Sequence, residues 1–195
     1  MHINFNKILD LYFIIEVLAV VFGLIYIWLL IKERIECWIF GILGSLFSIF
    51  LFVHTKLYSE AILYLYYVVV GFYGYYLWSR KSKDDSLLRI SDVNPINHVY
   101  YILSSCILAF FLAWFFNTYT DAERPYIDSF TTVFSFLATF LEAKKVLSSW
   151  KYWIVINGVT IGLYFDKGLD IYAGLILVYF IMSFVGYFKW KKLMA

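Results

Sequence analysis

Asp128, Thr131, Ser135, Thr139 and Glu142 follow one another at spacings of 3, 4, 4 and 3 through a segment that is otherwise apolar. Those spacings put all five on one face of a helix. No histidine or cysteine joins them, so the face reads as a polar track rather than a reaction centre. A second set follows directly: Trp150, Trp153, Asn157, Thr160 and Tyr164, at spacings of 3, 4, 3 and 4. Asn157 is its most demanding member. A carboxamide offers two donors and two acceptor sites, and leaving one buried and unpaired costs about 1–3 kcal/mol. It calls for a hydroxylated or amide-bearing solute, or for a polar group on a neighbouring helix. The hydroxyls have alternatives of the same kind, since Ser and Thr join membrane helices or bond back to their own carbonyls.

Aromatic rings supply the complementary chemistry. Tyr64, Tyr67, Gly71, Gly74 and Trp78 share a broad face on which glycines lie beside rings, a groove with flat walls. Tyr172, Tyr179, Ser183, Gly186 and Tyr187 repeat it more weakly. Such walls suit a flat cationic ring, each cation–π contact contributing about 0.5–2 kcal/mol. Glu16 stands one turn inside the first apolar segment. There it draws a cationic solute to the outer mouth or pairs with a Lys or Tyr. Glu142, just before Lys144 and Lys145, reads as one half of an interfacial ion pair. Trp150, near a segment boundary, fits the aromatic belt as well as a solute wall.

The missing chemistry narrows the classes. His2, His54 and His98 have no metal-ligand spacing, and Cys37 and Cys106 fall in different segments, so neither a metal nor a disulfide is expected. There is no phosphate-binding G-x-x-x-x-G-K-[ST] loop and no Ser-His or Cys-His pair supported by position. The expectation is a protein that is not an enzyme and uses no cofactor.

The elements that carry these residues follow from composition. The chain is 63% hydrophobic and 15% charged, with a mean hydropathy of +0.77, which describes a polytopic helical membrane protein. Apolar runs predict seven spans over 11–31, 37–54, 57–79, 98–118, 127–147, 150–166 and 169–190. What lies between them is too short for a soluble domain, so residues 1–195 form a single membrane domain whose surroundings are lipid. A net charge of +2 gives no footprint for nucleic acid. No small-residue cleavage site follows the first apolar run, so no cleaved leader is expected. With seven spans, Lys7, Lys56, Arg124 and Lys167 fall on one side and the other twelve of the 16 Lys and Arg on the opposite side. The protein is expected in the plasma (inner) membrane, and the positive-inside rule puts its N-terminus outside and its C-terminus in the cytoplasm.

An internal repeat organises the spans. YLYYVVVGFYGYYLW, ending at Trp78, aligns without a gap with ILVYFIMSFVGYFKW, ending at Trp190, matching Tyr67 to Tyr179, Gly74 to Gly186 and Tyr75 to Tyr187. The pairs Trp38-Ile39 and Trp153-Ile154 are expected to open equivalent helices. Residues 11–79 and 127–190 therefore read as two three-helix repeats. An odd repeat would invert, and the helix at 98–118 restores its direction, which gives a parallel 3+1+3 arrangement with a solute held near the midplane.

Asp128-Ser129, Ser135, Ala138, Lys144-Lys145 and Trp150-x-x-Trp153-x-x-x-Asn157 together resemble the PnuC family of nicotinamide riboside transporters, as does Tyr73-Gly74-Tyr75-Tyr76-x-Trp78 with Tyr75 in place of that family's tryptophan. The resemblance spans all seven helices. It implies a SWEET-like all-α 3+1+3 fold and facilitated uptake of a B-vitamin precursor, trapped by a separate cytoplasmic kinase. The polar and aromatic faces described above give the expected substrate contacts: Trp150, Trp153, Asn157, Thr131, Ser135, Thr139, Tyr64, Tyr67 and Glu16. Gly44, Tyr64 and Gly71 stand where many nicotinamide riboside carriers have amides, so a thiamine-carrying branch is the alternative, and a non-transporting structural or assembly protein a remote one. A homo-oligomer is compatible with all of these.

Overall fold

The structure, a computed structural model, describes residues 5–54, 58–80, 88–120, 124–166 and 170–194. Lys56, Lys81, Lys83 and Lys167, and the side chains of Lys7, Tyr164 and Tyr172, lie outside what it describes. The described residues form seven helices: α1 (Phe5–Ile31), α2 (Cys37–His54), α3 (Tyr58–Ser79), α4 (Pro95–Tyr119), α5 (Pro125–Ala143), α6 (Ser149–Asp166) and α7 (Asp170–Met194). Long helices are what an apolar chain adopts in lipid, because every backbone N–H and C=O must find its partner within the segment. By length and composition five of them can cross a membrane: Leu11–Ile31, Cys37–His54, Ala61–Ser79, Pro95–Tyr119 and Ala173–Met194. Helices α5 and α6, of 19 and 18 residues, are also of spanning length, but carry the polar residues.

The chain divides into two compact units, Met1–Leu87 and Leu88–Ala195. In the first, α2 packs against both α1 and α3. Helix α1 ends in a Schellman turn. Arg34 N–H reaches Leu29 O and Glu33 N–H reaches Leu30 O, both at 3.0 Å, with Glu33 in the left-handed conformation at φ 55°. Trp38, 1% exposed, meets Trp78 edge-on at 5.5 Å, and its indole lies where a Cβ on Gly74 would be. Gly44 seats α2 closely on α1: a Cβ there would come within 3.4 Å of the Ala19 carbonyl oxygen. Tyr12 of α1 bonds His54 Nδ1 of α2 through its hydroxyl at 2.9 Å, the two rings stacked 4.0 Å apart.

In the second unit α4 packs on α5, α5 on α6, and α6 on α7. Helix α5 stops at Ala143, four residues before its expected end. Lys145 takes φ 52°, with Lys145 N–H on Glu142 O and Val146 N–H on Leu141 O, both at 2.9 Å. This is the Schellman turn of α1 again. Trp150, 0% exposed, meets Trp190 edge-on at 5.3 Å and covers Gly186. Arg124 pairs with Asp166.

These features fall in one register. Ile31 and Ala143 end their helices 112 positions apart; Cys37 and Ser149, His54 and Asp166, and Tyr58 and Asp170 are separated by the same interval. So are Glu33 and Lys145, the tether Tyr12–His54 and the ion pair Arg124–Asp166, and the two Trp–Gly–Trp clasps. This register corrects one expectation. The counterpart of Trp38 is Trp150, not Trp153, because only Trp150 lies against the equivalent glycine and tryptophan of α7.

A strap that no local pattern announced joins residues 88–98 to the turn between α5 and α6. Ser91 N–H donates to Lys145 O at 3.0 Å and Leu147 N–H to Ser91 O at 2.8 Å. Asp92 Oδ1 accepts from Ser148 Oγ at 2.5 Å and from Ser148 N–H at 3.3 Å. Asn94 caps α4 through Ile96 N–H at 3.2 Å, with Pro95 at its first turn. His98 completes the strap, 3.0 Å from the Tyr152 hydroxyl through Nδ1 and 3.8 Å from Asp92 through Nε2.

Candidate functional site

The polar face of α5 forms as its spacing requires. Its hydroxyls, however, are turned onto their own helix. Thr131 Oγ1 donates to the Ile127 and Asp128 carbonyls, each at 3.0 Å, Ser135 Oγ to Thr131 O at 2.7 Å, and Thr139 Oγ1 to Ser135 O at 2.8 Å. Each hydroxyl proton is therefore committed, and what the face offers a solute is the oxygen lone pairs. Ser135, Thr139 and Glu142 are buried, while Thr131 and Asp128 are half-buried. The face is a row of acceptors.

On α6, Asn157 is buried and donates from Nδ2 to Ser183 Oγ of α7 at 3.2 Å. Ser183 donates in turn to Tyr179 O at 2.8 Å. This chain ties α6 to α7, and none of the described residues bonds Asn157 Oδ1. One helical turn earlier, Trp153 is half-buried, and its Nε1 is enclosed without a hydrogen-bond partner among the described residues. Thr160 repeats the back-bonding of α5, onto Ile156 O at 2.9 Å.

The structure thus gathers Thr131, Ser135, Thr139, Trp153 and Asn157 into one unit on two helices that pack together. Trp150 belongs to the same unit but is fully enclosed between Gly186 and Trp190, where it fixes the start of α6 against the end of α7. Tyr64, Tyr67 and Glu16 lie in the first unit. Tyr64 and Tyr67 meet edge-on at 5.4 Å, with Phe52 5.2 Å from Tyr64, and both tyrosines are half-buried. Glu16 is exposed, one turn beyond Tyr12.

The 112-residue register shows how the units differ beneath a shared frame. Ala19, Gly23 and Ile27 of α1 occupy the positions of Thr131, Ser135 and Thr139, and Ser45 and Gly71 those of Asn157 and Ser183. In the first unit the Tyr26 ring covers Gly41, where a Cβ would come within 2.8 Å of it. In the second, Ala138 and Trp153 hold those positions, so large and small residues have changed places. Ser183 is the residue whose role the sequence conceals. Only its position on α7 facing Asn157 makes it a partner rather than one more small residue. Among the described residues no three His, Cys, Asp or Glu come together as a metal-binding group would require.

Comparison with known proteins places this arrangement. Residues 13–192 match the model of the family described as Nicotinamide mononucleotide transporter. The chain is similar to the nicotinamide riboside transporter PnuC of Escherichia coli strain K12, 26% identical over 88% of this chain and 81% of the relative. It is also similar to PnuC of Neisseria mucosa, 24% identical over 90% of this chain and 71% of the relative. Among solved structures, a vitamin B3 transporter PnuC superposes with a TM-score of 0.75, at 23% identity, over 92% of this chain and 81% of that one. The fold is that of a helical membrane transporter, and the chain belongs to the nicotinamide mononucleotide transporter family.

Proposed function

We propose that this protein carries nicotinamide riboside across the plasma membrane by facilitated uptake. The observation that carries the reading is the polar content of the packed pair α5 and α6: a row of acceptor oxygens on α5, and on α6 Trp153 together with an Asn157 carboxamide anchored through its NH2, its oxygen bonded by none of the described residues. It occurs in a member of a family whose curated relatives are named nicotinamide riboside transporters. A ribose supplies hydroxyl donors for such acceptors, and a pyridinium ring suits stacking on an indole.

In this reading residues 11–79 and 127–190 are two parallel three-helix repeats, with 98–118 as the linker helix between them. The equal helix boundaries in the 112-residue register support that assignment. The proposed solute contacts are Thr131, Ser135, Thr139, Trp153 and Asn157 of the second repeat, with Tyr64 and Tyr67 of the first. Trp150 holds the frame, and Glu16 attracts the cation at the outer mouth. The Lys and Arg distribution puts the N-terminus outside and the C-terminus in the cytoplasm. A separate cytoplasmic kinase then traps the riboside as its phosphate.

A binding screen of nicotinamide riboside, thiamine and riboflavin on detergent-purified protein tests the proposal. The expected result is saturable binding of nicotinamide riboside that weakens in Trp153→Ala and Asn157→Ala. Unchanged binding in both variants removes this face as the site, and a preference for thiamine replaces the solute.

A further inference from the structure

We propose that Ser183 is a positioning residue: it fixes which end of the Asn157 carboxamide is presented to the solute, and so makes the site choose a carboxamide over a carboxylate. The inference rests on the solute reading above and extends it to a residue outside the α5–α6 face.

The argument is one of proton counting. Ser183 Oγ lies 2.8 Å from the Tyr179 carbonyl oxygen. Two oxygens at that distance need a proton between them, and a serine hydroxyl has only one. That proton is committed to Tyr179, so Ser183 Oγ can only accept. The Asn157 group 3.2 Å from it must therefore be the NH2. Turning the amide over would set Oδ1 against an oxygen with no proton to give. Asn157 and Ser183 are both buried, at 7% and 1% exposure, so water does not readily repair the mismatch, and an unmet buried polar group is costly. The amide is locked with Oδ1 directed away from α7, and no described residue bonds that oxygen.

A locked Oδ1 is a selective element. A solute carboxamide brings an N–H to it. A carboxylate has no proton to offer and sets a charged oxygen against the carbonyl oxygen. A freely turning asparagine would present its NH2 to the carboxylate instead and accept both solutes. The first unit has no equivalent lock, because Gly71 stands at the position of Ser183 and Ser45 at that of Asn157. A site that needs hydrogen bonding of one polarity rejects the analogue that lacks it far more strongly than a merely well-shaped pocket does.

The test compares binding of nicotinamide riboside and nicotinic acid riboside by full-length protein in lipid nanodiscs, for wild type, Ser183→Ala and Ser183→Thr. Wild type is expected to prefer the amide by at least roughly tenfold, the size of one mispaired buried hydrogen bond. In Ser183→Ala the ratio should fall to about threefold or less, as the amide riboside weakens and the acid riboside gains. Ser183→Thr keeps the hydroxyl and should keep the ratio. A selectively 15N-labelled sample adds a readout free of solute: the Asn157 side-chain NH2 should lose its protection from hydrogen exchange in Ser183→Ala and retain it in Ser183→Thr. A Ser183→Ala protein that binds the amide riboside with the wild-type ratio overturns the positioning role and leaves the solute reading standing. A wild-type protein that binds neither riboside overturns the solute reading and the selectivity with it.

Discussion

Gly186→Ala should destabilise the protein even though it replaces the poorest common helix former by the best. A Cβ built on Gly186 lies 2.5 Å from Trp150 Cζ3 and 2.6 Å from both Cε3 and Cη2, whereas carbon atoms rest at about 3.5–4.0 Å. The indole would have to retreat by roughly 1 Å on these contact distances. It has little room to do so, because Trp150 is fully buried and Trp190 stands edge-on to it at 5.3 Å and 88°. Overpacking of this kind costs about 1–3 kcal/mol. Against it, Gly→Ala in a helix gains about 0.8–1.0 kcal/mol. The net expectation is a loss of about 0–2 kcal/mol, and a control isolates the overlap itself. Gly174, also in α7, has open space on that side: a Cβ there would meet nothing within 4 Å. Gly174→Ala therefore keeps the propensity gain without the clash. The two variants should differ by about 1–3 kcal/mol, read as unfolding midpoints of the detergent-solubilised chain. Trp150→Phe should narrow the gap in a double-mutant cycle, since a smaller ring leaves space for the methyl. If Gly186→Ala is as stable as Gly174→Ala, the Trp–Gly–Trp clasp is not a close contact.

Three further outcomes follow from the turns and the strap. Glu33→Gly should stabilise the first unit by about 1 kcal/mol, because Glu33 holds φ 55°, where a Cβ is crowded and glycine is not; thermal unfolding measures it, and a neutral or negative result argues against the Schellman geometry. Ser148→Ala removes the 2.5 Å bond to Asp92 and should cost about 1–2 kcal/mol, with faster hydrogen exchange at Ser91 and Leu147 if the strap loosens as a unit. Exchange that stays slow would show that the backbone bonds hold the strap alone. Glu36 bears on pH: hydrogen bonding from Arg34 lowers its carboxyl to about 2 from an ordinary 4.5. Its contribution is therefore complete above about 4.5, fades as pH falls towards 2, and is small because the pair is exposed. Stability should not change with pH between about 5 and 8 on its account, and Arg34→Ala should leave that interval flat in a pH series of unfolding midpoints.

Much of the frame is legible in the sequence because lipid imposes it. About twenty apolar residues are needed to cross, and the charged clusters that end each run mark the boundaries, so the ends at Ile31, His54, Ser79 and Asp166 agree with the expected spans. The end of α5 is not legible. The apolar pair Val146-Leu147 prolongs the run, and a left-handed Lys145 is a conformation that lysine itself does not advertise. The repeat between α3 and α7 can be read from identities, yet the Trp-Ile dipeptide matches Trp38 to the wrong tryptophan. A dipeptide is a shorter signal than a shared partner, and the partners, Gly186 and Trp190, lie on another helix. The polar stripe on α5 is visible as periodicity, but the direction of its hydroxyl protons depends on the carbonyls one turn back. The strap and the Ser183 lock rest on partners 56 and 26 residues away, which no local pattern reports.

The common register separates what holds the helices from the residues proposed to meet the solute. Both units have the Schellman turn, the Trp–Gly–Trp clasp and a tether between the far ends of one helix pair, α1 and α2 in the first and α5 and α6 in the second. These are packing and capping devices, and each works whatever the solute. The hydrogen-bonding residues follow no such symmetry: Thr131, Ser135, Thr139, Asn157 and Ser183 of the second unit correspond to Ala19, Gly23, Ile27, Ser45 and Gly71 of the first. Four of those five counterparts have no polar side-chain atom, and the fifth, Ser45, is too short to repeat the Asn157 carboxamide. If the proposed solute contacts hold, directional hydrogen bonding is concentrated in the second unit, while Tyr64 and Tyr67, which meet edge-on, give the first an aromatic and less directional character.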